Sequence, residues 1–222
     1  MQPAAQSHRL SDVRAHYRGL AADYDRGANT TCKEAYTELV GRVFSDVQAV
    51  LELGAGSAPL ASMLRAPRRI ACDLSADMLG RADLNVARVL SDAQQLPFAD
   101  ATFDGVFSIN LLEHAPDPAL VAREASRVLA PGGVFLAVTP NGDLEWLLDI
   151  LERFRLKLPE GPHRFLSRRE IVNLALPPFQ RIEYRRFLTF PAGPWKLARL
   201  VDAFSPSGLF HYIVLRKDPT GG

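Results

Sequence analysis

The segment Val50-Leu51-Glu52-Leu53-Gly54-Ala55-Gly56-Ser57-Ala58-Pro59 reads as a strand that runs into a glycine-rich turn and then opens a helix. Gly54 and Gly56 permit a tight turn and let a ligand approach the backbone closely. A dinucleotide fingerprint would place a third glycine at position 59, where Pro59 stands. Proline instead suits the first turn of a helix, where its missing N–H is no loss, so an NAD or FAD site is disfavoured. Asp73 ends the next apolar run, 19 residues after Gly54. There a carboxylate can accept both hydroxyls of a ribose, or cap the helix that starts near Ser75. Asp92 ends a third run, within Ser91-Asp92-Ala93-Gln94-Gln95. Alone it would be a turn residue; after Gly54, Gly56 and Asp73 it becomes one of three strand ends along one sheet edge, where it can accept from an adenine amino group.

These residues need a framework, and hydrophobic spacing supplies it. AVLELGA (49–55), RRIACDL (68–74), ARVLSDA (87–93), FDGVFSIN (103–110) and GVFLAVTP (133–140) are continuous apolar strands of the kind buried on both faces of a parallel sheet. Helical patterns lie between them, the clearest over 117–130, with Asp117 and Pro118 as start signals and Pro131-Gly132-Gly133 as the stop. The alternation predicts a doubly wound α/β sheet. Upstream, Val13, Tyr17, Leu20 and Tyr24 share one helical face, and Tyr36, Leu39, Val40 and Val43 another, which predicts an N-terminal helical cap over 1–45. After residue 141 the rhythm breaks. Helices are expected over 143–158 and 167–176, the second opened by the capping box Ser167-Arg168-Arg169-Glu170. Strands are expected over 179–190 and 210–217, with a short helix near 195–203. No helix of crossover length sits firmly between these strands, so they should form an antiparallel pair at the sheet edge.

The motifs together resemble the class I S-adenosylmethionine-dependent methyltransferase family. The resemblance runs from about Tyr17 to Asn141 and rests on ELGAGSA, on Asp73 in CDLSADML, on DAQQLPF, on FDGVFSINLLEH and on LAPGG before the fifth strand. Each motif is weak alone; five in order are specific. The resemblance implies a seven-stranded, mostly parallel, Rossmann-like sheet with an antiparallel last strand. It also implies S-adenosylmethionine as cofactor. Gly54, Ala55 and Gly56 would line the methionine moiety, and Glu52 would support its ammonium through the turn. Asp73 would hold the ribose, Leu74 and Met78 would pack on the adenine, and Asp92 with the Ala93 amide would read its edge. Asn110 and Leu111 would stand beside the methyl-transfer zone, and Tyr17 and Tyr24 would close over the cofactor or serve as core contacts of the cap. Ala58 departs from the glycine often found there and slightly constrains the turn. His114, in NLLEH, would act as a base or, more in keeping with the family, shape the site, and His163 is a second candidate base.

The 222 residues are expected to form one domain: cap or lid 1–45, cofactor-binding core 46–141, substrate-side elaboration 142–208, and last strand with tail 209–222. Hydrophobic residues at 47% and charged residues at 23% set aside disorder, collagen and coiled coil. A chain of this length builds a core without staples, so Cys32 and Cys72 read as reduced thiols, and two lone cysteines argue against a zinc site. No metal is expected. Neither a membrane span nor a secretory signal core stands in the sequence, which predicts a cytoplasmic protein without a membrane partner. Charge is segregated: residues 1–152 hold 13 Lys+Arg against 20 Asp+Glu, and residues 153–199 hold 11 against 3. Arg164, Arg168 or Arg169 would then recognise an anionic group of a substrate, or the stretch is a solvated basic face balancing the acidic one. Missing nucleic-acid modules point to a small-molecule acceptor with an O or N nucleophile. A macromolecule or carrier-bound acyl chain, or a cofactor-binding protein without catalysis, are the alternatives, and the oligomeric state is open.

Overall fold

The computed structural model describes residues 30–57, 59–83, 85–145, 163–188, 195–204 and 208–220. Seven strands form one sheet: β1 (Ala49–Leu53), β2 (Arg68–Asp73), β3 (Ala87–Leu90), β4 (Phe103–Ile109), β5 (Leu129–Pro140), β6 (Phe179–Phe187) and β7 (Phe210–Lys217). Their order is β3-β2-β1-β4-β5-β7-β6. The pairs β1–β2, β1–β4, β2–β3 and β4–β5 are parallel, and β7 runs antiparallel to both β5 and β6. The doubly wound sheet and the reversed last strand are therefore as the sequence predicts.

The helices are α1 (Thr30–Val43), α2 (Pro59–Met63), α3 (Ala76–Leu79), α4 (Pro118–Val128), α5 (Arg168–Asn173) and α6 (Trp195–Phe204). Successive strand residues point to opposite faces, so the apolar runs feed two cores. On one face Val50, Phe107, Leu136 and Val138 pack with Tyr36, Leu39 and Val40 of α1 and Leu60 of α2. On the other, Leu51, Leu53, Phe135 and Ile213 pack with Val121 and Ala125 of α4 and Ile171 of α5. Covering both faces leaves the strand ends as the place where a ligand can enter. No helix among the described residues is long and apolar enough to cross a membrane.

Element ends shift where local chemistry competes with periodicity. Asp117 caps α4 by accepting from the amides of Ala119 and Leu120 at 2.9 and 3.1 Å, with Pro118 in the first turn, as expected. The helix stops at Val128 rather than 130, because Leu129 already pairs with Phe103 and opens β5. An irregularity in that pairing, with Gly132 at φ 79°, absorbs the Pro-Gly-Gly sequence inside the strand instead of before it. The full capping box is present at Ser167 and Glu170. α5 nevertheless ends at Asn173, shorter than the 167–176 expected, since Pro177 and Pro178 follow closely and proline disfavours helical backbone before it. Gly142–Leu144 forms only a 3-10 turn, and the remainder of the helix expected over 143–158 lies outside the described residues beyond Glu145. The Tyr17 and Tyr24 positions of the cap also lie outside the described residues.

Close packing between α1 and the sheet depends on one glycine. A Cβ at Gly105 of β4 would stand 2.6 Å from Cδ1 of Phe44, which is 2% exposed. Gly105→Ala should therefore destabilise the protein by about 1–3 kcal/mol in denaturant unfolding, the usual cost of overpacking. Gly41→Ala, exposed in α1 with nothing within 4 Å of the new methyl, should stabilise it, by up to about 1 kcal/mol.

Candidate active site

At the C-terminal ends of β1, β2, β3 and β4 lies a cleft of about 770 Å³, open mouth and the solvent in it included. The β1 end supplies its floor. Gly54 and Gly56 adopt φ of 64° and 54°, in the left-handed region that side chains resist. A Cβ at Gly54 would lie 2.7 Å from Leu111 Cδ1, and one at Gly56 would lie 3.1 Å from Met78 Cε. Ala55 between them is buried, and its amide donates to the Cys72 carbonyl at 3.0 Å, sewing the turn to β2.

Asp73 joins the two turns. Its Oδ2 accepts from the Gly56 amide and its Oδ1 from the Ser75 amide, each at 2.8 Å. Helix α3 is capped by Ser75, whose Oγ accepts from the Met78 amide at 3.3 Å, so the side-chain cap is one residue pair on from Asp73. A carboxylate has about four acceptor positions, so two amides leave capacity for a ligand in the cleft that Asp73 lines. Burial pushes its pKa up, and the amides pull it back.

Further along the rim, Leu74, Met78, Asp92 and Ala93 all line the cleft. Asp92 Oδ1 accepts from the Gln94 amide at 2.8 Å. Gln94, which sequence reading passed over, also lines the cleft, and its side-chain oxygen accepts from the Asp117 amide at 3.0 Å. It thereby ties the β3 end to the start of α4, a contact no sequence pattern signals.

The β4 end carries the polar wall. Asn110 sits at φ 51°, where asparagine is tolerated better than most residues, and lines the cleft with Leu111. Its Nδ2 donates to the Tyr36 hydroxyl at 3.4 Å, while its buried Oδ1 has no hydrogen-bond partner among the described residues. Tyr36, expected only as an apolar helix position, thus reaches the site from α1. The 3-10 turn Leu112–His114 places His114 in the cleft wall at 5% exposure. That turn is anchored by Thr139 Oγ1, which donates to Glu113 Oε2 at 2.8 Å, and by the Arg164 amide, which donates to the Glu113 carbonyl at 2.8 Å. His163 stands edge-on to His114 with ring centres 6.3 Å apart, and packs on Phe165 at 4.4 Å.

Other expected residues stand elsewhere. Glu52 does not line the cleft: it is 4% exposed, and its Oε2 accepts from the Ala61 amide of α2 at 2.8 Å. Its link to the site runs through α2 and the turn. Arg164 is ion-paired with Glu170, and Arg168 and Arg169 open on a separate depression beside α5. The three arginines therefore do not converge on the cleft. Cys72 is a buried free cysteine, and no metal-binding group of three His, Cys, Asp or Glu side chains exists among the described residues.

The lining fits a nucleoside carrying an amino-acid chain. Two glycines at positive φ make room against the backbone, carboxylates end β2 and β3, Leu74 and Met78 offer an apolar surface for a flat base, and the unpartnered Asn110 Oδ1 can accept from an ammonium group.

Two expectations follow. Asp73→Ala should weaken binding of S-adenosylhomocysteine by about 1.5–3 kcal/mol, measured by calorimetry. It should also lower stability by about 1–2 kcal/mol, because two turn amides lose their acceptor. Unchanged affinity of the folded fraction would reduce Asp73 to a turn brace. Burial pushes the Glu52 pKa up to about 8, far above its unfolded value. The folded chain then holds a proton that the unfolded chain releases, so this group's contribution to stability should fall as pH rises from about 4.5 to about 8. Glu52→Gln should flatten that part of the stability-against-pH curve.

Comparison with known proteins agrees with this geometry. Residues 51–137 match the family model described as methyltransferase domain. The chain is 34% identical over 145 residues to a ubiquinone biosynthesis O-methyltransferase of Methylococcus capsulatus, a match that covers 60% of this chain and 60% of that one. A S-adenosylmethionine-dependent methyltransferase from Thermotoga maritima shares the fold with a TM-score of 0.70 at 19% identity, over 93% of this chain and 100% of its own. The N-methyltransferase NodS of Bradyrhizobium japonicum, solved with S-adenosylhomocysteine, does so with a TM-score of 0.67 at 16% identity, over 93% and 98%. With the glycine turn, the strand-end carboxylates and the cleft all in place, the chain is similar over residues 51–137 to the methyltransferase domain family and shares its fold with S-adenosylmethionine-dependent methyltransferases.

Proposed function

We propose that the protein moves a methyl group from S-adenosylmethionine to an oxygen or nitrogen nucleophile of a small-molecule metabolite. The observation that carries this reading is the succession along one cleft of the Gly54 and Gly56 turn, Asp73, Asp92 and the polar β4 end with Asn110 and His114. Bound there, the cofactor supplies a methyl group already activated by its sulfonium. The chain's own work is then placement and proton handling. The turn amides and Asn110 hold the amino-acid end, Asp73 the ribose, and Asp92 with the Ala93 amide the base. His114 faces the acceptor and orients it or takes its proton on a ring nitrogen, with His163 behind it. Closely packed Leu111 and Met78 exclude water. The M. capsulatus relative is named for O-methylation, which favours an oxygen acceptor.

Calorimetry tests the first half: S-adenosylhomocysteine should bind with micromolar affinity and NADH should not bind. Tight NADH binding without response to the sulfonium cofactor or its product would sink the reading. For the second half, the protein is offered a panel of phenols, catechols and primary amines with labelled S-adenosylmethionine. His114→Gln should lower kcat about 100- to 10,000-fold on any acceptor that turns over, the range of general acid–base contributions, and leave S-adenosylhomocysteine affinity unchanged. An unchanged kcat would leave His114 a wall of the site.

A further inference from the structure

Beside α5 lies a second depression, lined by Asp143, Ser167, Arg168, Arg169, Val172 and Arg181. Arg181 belongs to β6, which stands three strands from β4 in the sheet order. At about 4.8 Å per strand this sets β6 roughly 14 Å across the sheet from β4.

Several other arginines meet carboxylates. Arg42 and Arg185 share Glu183, Arg127 takes Glu124 and Asp100, Arg123 takes Asp117, Arg164 takes Glu170 and Arg199 takes Glu38. Arg168, Arg169 and Arg181 form no ion pair among the described residues, although they line one depression. Gathering three like charges costs energy, and two of them occupy the first turn of α5, where the helix dipole opposes cations. Neither is needed to start that helix, since Ser167 and Glu170 complete its capping box. With six residues α5 is too short for its amides to constitute a site, so the guanidinium groups carry the argument.

One of them is held in place. The Arg168 amide donates to Asp143 Oδ1 at 3.3 Å, and its guanidinium lies 5.6 Å over the Tyr184 ring. Tyr184 is fixed in turn by a 2.7 Å hydrogen bond between its hydroxyl and His211 Nδ1. His211 is fully buried, and its Nε2 has no hydrogen-bond partner among the described residues. Burial pushes the His211 pKa down to about 4, so the ring braces Tyr184 without adding charge at neutral pH. Asp143 is the one carboxylate among the lining residues, which leaves a positive excess.

We propose that this depression is an oxyanion site, which takes a phosphate or carboxylate group on Arg169 and Arg181 with Arg168 pre-oriented on Tyr184. The site is separate from the methyl cleft, and anion binding there does not depend on methyl transfer. The oxyanion comes from the far end of an elongated methyl acceptor or from a separate ligand.

Inorganic pyrophosphate is the probe, titrated calorimetrically into the full chain at low and high salt. Saturable binding is expected, weakened by salt and about fivefold or more by each of Arg169→Gln and Arg181→Gln, while Arg65→Gln on the exposed surface leaves it unchanged. Absence of binding, or equal binding by all three variants, overturns the site. S-adenosylhomocysteine affinity should be unaltered in every variant, so failure here is distinguishable from failure of the methyltransferase reading. Repeating the acceptor panel with pyrophosphate separates the sources: competition against the acceptor assigns the oxyanion to the acceptor, and binding without competition assigns it to a separate ligand.

Discussion

Everything at the cleft depends on the Asp73 carboxylate, which accepts from the Gly56 amide with one oxygen and the Ser75 amide with the other. These two bonds hold the loop after β1 against the loop after β2. Without them Gly54 and Gly56 would be free to sample the wide backbone range that glycine allows, and no fixed cradle would face a ligand. The entropy of ordering that turn is offset by charge-assisted hydrogen bonds in a half-buried setting, where they are stronger than in water. One side chain thus serves both the fold and the site.

The sheet explains why such a brace can exist at this place. β1 and β4 are buried on both faces, and their parallel neighbours end at the same edge, so polar groups that follow each strand are thrown together. Around that edge the polar pairs are matched: Glu113 with Thr139 in the interior, and Asp92 with Gln94 and Gln94 with Asp117 half-buried. Each fixes a loop that a purely apolar core would leave free. The reversed β7 then closes the sheet beside β5 and brings β6 to its outer edge, carrying basic residues away from the acidic cleft.

Charge therefore segregates in space as it does along the chain. Asp73 and Asp92 face the methyl-donor cleft, whereas Arg168, Arg169 and Arg181 line a depression on the far flank. Arg127 and Arg164 are taken by carboxylate neighbours. Arg168 instead rests on an aromatic ring, an arrangement suited to a guanidinium whose polar edge is kept available.

The sequence by itself determined the parallel core, the antiparallel end, and the cleft residues Gly54, Gly56, Asp73 and Asp92, while the family resemblance pointed to Asn110 and His114. These follow from features that act over a few residues: apolar runs long enough to be buried on both faces, glycines at a turn, carboxylates at strand ends, and caps such as Asp117 and Ser167. Only the tertiary structure decided what meets across long separations. Tyr36 reaches Asn110 from 74 residues away, Gln94 reaches Asp117, and Arg181 joins Arg168 and Arg169 while Arg164 is taken by Glu170. It also directed Glu52 to the Ala61 amide of α2 and not to the cleft, although alternation along β1 alone gave no means of choosing. Periodicity reports which face a side chain occupies, but the partner on that face is set by how strands cross over and how helices pack, and those contacts leave no local trace in the chain.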